Sequence, residues 1–301
     1  MNKKDEKAKI KEKTITFDSI EAMNTSLIEI GQSPQADWKT LKIINRANNK
    51  KRKADARKKF KNLPGNIIDV VNVSKIYTSG NLVTSVLKGV NFHIKKGEFV
   101  ILYGKSGSGK STLLNLISGL DRPTKGDVVV NDVNLPYLSN NELTKFRRLN
   151  VSFIFQSYNL LENITGFDNV ETGDYLQKDK SKKMDIHKLF EIFDLEDVKY
   201  KFPAQMSGGQ KQRISILRAL TKNTDLIFAD EPTGALDEKT TLIVLDILQK
   251  INQQTGTTII MVSHNPFMAP IAHKVIRLKE GLIERVEINK KPLSPHEIKW
   301  S

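Results

Sequence analysis

The run GKSGSGKST (residues 104–112) sets glycines, hydroxyls and one lysine at the spacing G-x-x-x-x-G-K-[ST]. It follows the apolar stretch EFVILY and opens KSTLLNLISGL, which has helical character. That context is what phosphate chemistry needs. Glycine lets successive backbone N–H groups curl round phosphate oxygens, and a helix N-terminus adds partial positive charge. Lys110 can neutralise outer phosphates, and the Ser111 hydroxyl can bind Mg²⁺. Gly104, Ser106, Gly107, Ser108, Gly109, Lys110, Ser111 and Thr112 therefore form a candidate triphosphate cradle. The plain alternative is a flexible Gly/Ser turn, against which pattern and flanks agree.

Other candidates stand at strand ends. LIFADE (residues 226–231) reads as a buried strand closing on two carboxylates. In open α/β sheets that end faces the ligand crevice. Asp230 is placed to hold Mg²⁺ through its water shell, and Glu231 to take a proton from an attacking water. Gln156 follows VSFIF, and its amide oxygen can coordinate Mg²⁺ or a water, although a lone Gln is more often plain surface. His264 follows TTIIMVS and can contact a γ-phosphate, although a lone His is more often structural. Tyr77, in SKIYTSG, can stack on an adenine ring, although a strand-end Tyr is usually packing. In MSGGQKQR (residues 206–213), Ser207 can cap a helix starting near Gly208. The glycines leave amide N–H groups bare, so Ser207, Gly208, Gly209 and Gln210 make a second anion cradle. A simple serine cap and turn is the alternative there.

These residues need strands and helices in alternation to hold them. IIDVVNVSKIY and VTSVLKGVNFHI are strand-like, and EFVILY is a short buried strand. DVVV, VSFIF, DLIFADE, TTIIMV and pieces around VIRL and LIERV continue the strands, with helices at NELTKFRRL and TTLIVLDILQKI between them. The pattern predicts an α/β domain over residues 66–290 with a largely parallel sheet. A helical block over about 157–222 is predicted as an inserted subdomain, and residues 291–301 as a C-terminal tail.

The chain has 301 residues and no Cys, which excludes disulfides and thiolate metal sites and fits a reducing compartment. The charged N-terminus MNKKDEKAKIKEK lacks the apolar stretch of a signal peptide. Apolar runs such as residues 99–103 fall far short of the roughly 20 residues a membrane span requires, so any membrane role is expected to go through a partner or the surface. Net charge is +14, and residues 1–65 hold 17 Lys/Arg against 8 Asp/Glu. That extension is expected to be disordered or partly helical, with Ile20, Met23, Leu27 and Ile28 at helical spacing and a stop at residues 63–65.

Taken in order, GKSGSGKST, Gln156, MSGGQ, LIFADE, GALD and His264 resemble the nucleotide-binding subunit of an ABC transporter, over roughly residues 67–287. MSGGQ is similar to the family signature LSGGQ, with Met206 for Leu. The resemblance implies a P-loop NTPase (RecA-like) core, an antiparallel β subdomain and an inserted helical subdomain. It implies two subunits sandwiching two Mg-ATP head to tail, with Ser207 and Gly209 on the γ-phosphate held by the partner's loop. By the same resemblance Tyr77 stacks the adenine, Gln156 couples, Glu231, His264 and Lys110 are catalytic, Asp237 lies at the dimer seam, and Ser111, Gln156 and Asp230 serve Mg²⁺. The text NELTKFRRLNVSFIFQSYNLL and EPTGALD resembles the lipoprotein-release and macrolide-export branch. A homodimer or paired ATPase subunit is thus expected to sit peripherally at the cytoplasmic face of a membrane and drive an integral permease.

The rival reading is a soluble ABC-type ATPase gripping ribosomes or nucleic acid through its basic arm. Ribosome-associated relatives usually carry two cassettes in one chain, and DNA-repair relatives split the cassette with a long coiled coil that does not fit between Gln156 and Ser207. Residues 50–61, with eight Lys/Arg and one Asp, read first as a solvated tail, then as a contact for an anionic leaflet, and last as a nucleic-acid contact, having few aromatics to stack bases.

Overall fold

The computed structural model describes residues 14–15 and 35–298. The strands are β1 (Thr14–Ile15), β2 (Gln35–Ala36), β3 (Asn66–Ser79), β4 (Leu82–Lys95), β5 (Phe99–Tyr103), β6 (Lys125–Val130), β7 (Val133–Asn134), β8 (Val151–Ile154), β9 (Leu226–Asp230), β10 (Thr258–Ser263), β11 (Lys274–Lys279) and β12 (Leu282–Ile288). The α-helices are α1 (Trp38–Asn49), α2 (Lys110–Ile117), α3 (Asn140–Asn150), α4 (Gly166–Leu176), α5 (Ile186–Ile192), α6 (Gly208–Thr221) and α7 (Glu238–Thr255). The α/β class expected from the alternation is what the chain adopts. The helix expected around Ile20 to Ile28 lies outside the described residues.

Two compact units divide the chain. The described residues up to Ile94, with Lys105–Leu143 and Leu278–Glu284, make the first. Its sheet runs β1-β2-β4-β3-β6-β7, with antiparallel pairing of β3 to β6, β6 to β7 and β2 to β4. A bulge breaks the β3–β6 register between Val71 and Ser74. Facing it, Gly126 (φ +84°) passes so close that a Cβ there would lie 2.1 Å from the Asn72 carbonyl oxygen.

Residues 35–65 belong to this first unit: residues 50–61 are mostly exposed, as expected of a solvated segment, but hydrogen bonds tie them down where a free tail was expected. The sequence WKTLKIINRANN forms α1 because Asp37 caps it, accepting from the Thr40 N–H at 2.9 Å. Its apolar side is fixed by the i, i+3 pair Leu41 and Ile44, and Ile44 packs with Ala36, Ile76 and Val83 in a small core. Downstream, the Arg52 N–H donates to the Pro136 carbonyl at 3.0 Å, and its guanidinium meets the buried Asp127 at 3.4 Å. Asp55 accepts from the Tyr137 hydroxyl at 2.8 Å, and Asn62 donates to Asp69 at 2.8 Å. Lys50, Lys51, Lys53, Lys58 and Lys59 stay exposed along this strap.

The second unit comprises Lys95–Gly104, Thr144–Arg277 and the described residues from Arg285 on. Its strands belong to a sheet ordered β12-β11-β5-β10-β9-β8, with parallel pairing of β11 to β5, β5 to β10, β10 to β9 and β9 to β8. β5 is all apolar and β10 nearly so, and both are buried, as parallel strands covered on both faces must be. β12, at the sheet edge, is exposed along most of its length and carries Glu284, Arg285 and Glu287 among its apolar residues. The stretch 157–222 carries α4, α5 and α6, with Val170, Phe190, Ile214 and Leu217 in the main core. Beyond β12, Leu293 ties back through its N–H to Pro270 and through its carbonyl to Gln249.

Candidate functional site

Within the first unit, the loop before α2 is shaped by its glycines. Gly107 (φ +77°) and Gly109 (φ +100°) occupy left-handed backbone. At Gly109 a Cβ would stand 2.8 Å from a Leu87 methyl and 3.2 Å from the Val86 carbonyl oxygen, so both conformation and space demand glycine. Lys110 is buried and folds its ammonium over the loop to the Lys105 carbonyl at 2.9 Å. The Ser108 hydroxyl is buried without a hydrogen-bond partner. A cradle of left-handed glycines at a helix start, a hydroxyl short of a partner and a lysine laid across it fits a phosphate chain. Ser111 and Thr112 form the first turn of α2 beyond Lys110.

Tyr77 stands near the end of β3, half-exposed. Its hydroxyl donates to Asp121 at 2.9 Å, and the Lys75 ammonium sits 4.8 Å from the ring centre while bonding the same carboxylate at 2.8 Å. Burial, then the Asp121 charge, pushes the Tyr77 phenol up to about 12, with the Thr112 hydroxyl acting the other way. Tyr77 and Thr112 are thus brought together beside the first turn of α2. Sequence reasoning missed the Lys75–Asp121 pair, because nothing in local spacing joins residues 46 apart in the chain.

In the second unit, parallel register brings the candidates to one sheet edge. Ser263 pairs with Tyr103, Val262 with Asp230, and Ala229 with Ile154, so Gly104, Gln156, Glu231 and His264 follow the C-terminal ends of adjacent strands. Glu231 turns the chain in left-handed backbone (φ +45°) directly after Asp230. Its carboxylate lies 3.1 Å from Nδ1 of His264. A Cβ built on Gly234 would sit 3.2 Å from Nε2 of Gln156 and 3.4 Å from Oε2 of Glu231, which places both side chains about one small residue. Glu231, His264, Gly234, Leu236 and Ser263 line a cavity of about 280 Å³.

The signature stretch caps α6. The Ser207 hydroxyl accepts from the Gln210 N–H at 3.3 Å, while the Gln210 side chain accepts from the Ser207 N–H at 2.8 Å, a reciprocal capping box. Met206 is buried in the main core, so it serves as the apolar residue the signature asks for. Gly208 and Gly209 are closely approached: a Cβ would meet the Tyr158 hydroxyl at 2.9 Å and a Thr240 methyl at 2.8 Å, so a side chain at either position would make its neighbour shift. Asp237 caps α7 through the Thr240 N–H at 2.8 Å, and that bond holds its carboxyl below the usual range. The neighbours Tyr158 and Thr240 escaped sequence reasoning; only the pair of glycines hinted at a crowded turn.

A family model described as ABC transporter matches residues 87–234. The chain is 46% identical over 235 residues to a putative ABC transporter ATP-binding protein of Mycoplasma genitalium, covering 78% of this chain and 50% of that one. It is 44% identical over 204 residues to a macrolide export ATP-binding/permease protein of Campylobacter jejuni, covering 66% of this chain and 31% of that one. The chain therefore spans about half, or less, of the length of these curated relatives. Among solved structures, the dimeric post-hydrolysis state of an ATP-binding cassette bound to ADP and Pi superimposes with a TM-score of 0.68 at 39% identity, covering 73% of this chain and 98% of that one.

Proposed function

Because this chain belongs to the family of ABC transporter ATP-binding proteins, we propose that it binds and hydrolyses Mg-ATP as a head-to-tail dimer and drives an integral membrane permease. The observation that carries this reading is the meeting of Gln156, Glu231 and His264 at the sheet edge. In it, Glu231 takes a proton from the attacking water and His264 steadies the γ-phosphate side of the site. The loop from Gly104 to Thr112 binds the phosphates, and Tyr77 stacks the adenine. Ser111, Gln156 and Asp230 are the donors for Mg²⁺, which when bound neutralises charge on the outer phosphates. Ser207, Gly208, Gly209 and Gln210 face the γ-phosphate held by a second copy, with the glycine N–H groups and the Ser207 hydroxyl as its donors while the Ser207–Gln210 capping box holds the turn. The ADP- and Pi-bound state described for the cassette of similar fold supports the nucleotide part of the reading.

Among the described residues no helix is long and apolar enough to cross a membrane, and the proposal gives the membrane-spanning work to other chains of the lipoprotein-release and macrolide-export branch. Purification of the tagged chain from detergent-solubilised membranes tests it: a multi-span protein should come with it, and co-sedimentation with ribosomes instead would favour the soluble rival. Lys110→Ala is expected to weaken ATP binding by about 10- to 100-fold, the scale of a lost charged hydrogen bond of ~1.5–3 kcal/mol. Calorimetric titration with ATP measures it, and unchanged affinity would count against the phosphate-loop assignment.

The exposed lysines of the strap carry the further part of this proposal, contact with an anionic leaflet. Replacing Lys50, Lys51 and Lys53 by Glu is expected to abolish salt-sensitive co-sedimentation with phosphatidylglycerol vesicles. Each Lys near such a surface is worth about 1 kcal/mol, so unchanged binding removes lipid from the reading.

A further inference from the structure

The N-terminal strap does more than cover a sheet face. We propose that α1 is a positioning element for the nucleotide base: Asn45 and Asn48 lock the strand on both sides of Tyr77 and so fix the ring on which adenine stacks. The proposal rests on the reading of Tyr77 as the adenine-stacking residue.

The geometry is specific. Asn48 donates to the Ile76 carbonyl at 2.8 Å and accepts from the Thr124 hydroxyl at 2.7 Å, while Thr124 in turn accepts the Ile76 N–H at 3.0 Å. Asn45 accepts from the Thr78 hydroxyl at 2.9 Å. The residues immediately before and after Tyr77 are therefore both held by one helix, from side chains three apart on a single face. Alternation along the strand turns Ile76 away from Tyr77, and Ile76 is the residue that packs with Ile44, Ala36 and Val83. The N–H of Ala36 also ties to the Asn81 carbonyl at 2.8 Å, just past the Gly80 turn.

β3 passes Tyr77 two residues before its end and then turns through the left-handed Gly80 into its neighbour β4. A stacking ring beside a hairpin turn must be ordered each time a base arrives unless its backbone is already held. The tip of the ring is already fixed by Asp121. α1 fixes its root. The ring is then preorganised at both ends before nucleotide binds.

The test uses the full chain, with ATP affinity and the KM and kcat of hydrolysis for Asn45→Ala plus Asn48→Ala, for Tyr77→Ala and for the triple variant. The asparagine pair is expected to raise the KM and Kd for ATP about threefold to tenfold, with kcat at saturating ATP essentially unchanged. In the Tyr77→Ala background the same pair should add nothing, because the element it positions is gone. Asn45→Ala alone removes an exposed bond and keeps the protein folded, and Asn45→Asp, which keeps the acceptor oxygen, should behave as the parent. If Tyr77→Ala itself leaves KM unchanged, the adenine reading falls and takes the proposal with it. If Tyr77→Ala raises KM but the asparagine pair does not, or the effects multiply, the proposal alone is overturned.

Discussion

Glu231→Gln is expected to lower ATP turnover roughly 10²- to 10⁴-fold, the usual scale for losing a general base, while ATP binding persists. The substitution exchanges one carboxylate oxygen for an amide and keeps the volume, so the left-handed turn at φ +45° is not asked to accept a new shape. What is lost is the ability to take a proton at the end of β9. The His264 ring, 3.1 Å away, lines the same cavity but is largely exposed, whereas the Glu231 carboxylate is the more buried of the two and stands directly at the end of β9. Steady-state phosphate release measures the first effect and calorimetric titration the second. Since hydrolysis is what reopens the proposed dimer, the variant should also accumulate as a dimer in ATP on a sizing column. Hydrolysis near the parent rate would remove Glu231 from the role and leave the cavity without its base.

Gly173→Ala is expected to destabilise the fold by about 3 kcal/mol or more, at the upper end of overpacking costs. Gly173 lies on α4 where that helix crosses α6, and a Cβ would stand 2.2 Å from the Arg218 carbonyl oxygen and 2.4 Å from the Thr221 hydroxyl. Neither neighbour can step aside cheaply. The carbonyl belongs to helix backbone, and the Thr221 hydroxyl donates to the Val170 carbonyl at 2.9 Å inside the packed interface. The helices would have to part, opening a contact that also buries Val170 and Leu217. Gly80→Ala is the control. It has the same change of side chain in open space at φ +56°, where only backbone strain of about 1 kcal/mol applies. Denaturant midpoints followed by circular dichroism separate the two, and equal midpoints would show that α4 and α6 yield where the geometry says they cannot.

Much of the site could be read before any coordinates, because each part announces itself locally. EFVILY followed by a glycine loop and a leucine-rich helix fixes β5, the cradle and α2 within 20 residues. LIFADE and TTIIMVSH each place a polar group where an apolar strand must end. What stayed hidden depends on partners far along the chain. Charge density made residues 50–61 look solvated, as most of them are, but hid that Arg52, Asp55 and the adjacent Asn62 find Asp127, Tyr137 and Asp69 or Asp132, partners 70 to 82 residues along the chain or, for Asp69, seven. Helix α1 did leave a signal, an aspartate cap followed by Leu41 and Ile44 at helical spacing, but the flanking lysines masked it. The close passages at Gly126 and Gly173 are invisible in sequence, since a glycine gives no sign of which backbone leans on it.

The part of the chain that matches the family begins after the strap ends. A shortened version starting at residue 66 would keep every motif and still be a poorer protein. Ile76 and Val83, now shielded by Ala36, Leu41 and Ile44, would face water as a bare greasy stripe beside an unpaired strand edge at β4. Such a surface invites sticking between copies, so solubility and shelf life would suffer on trimming along with the grip on nucleotide.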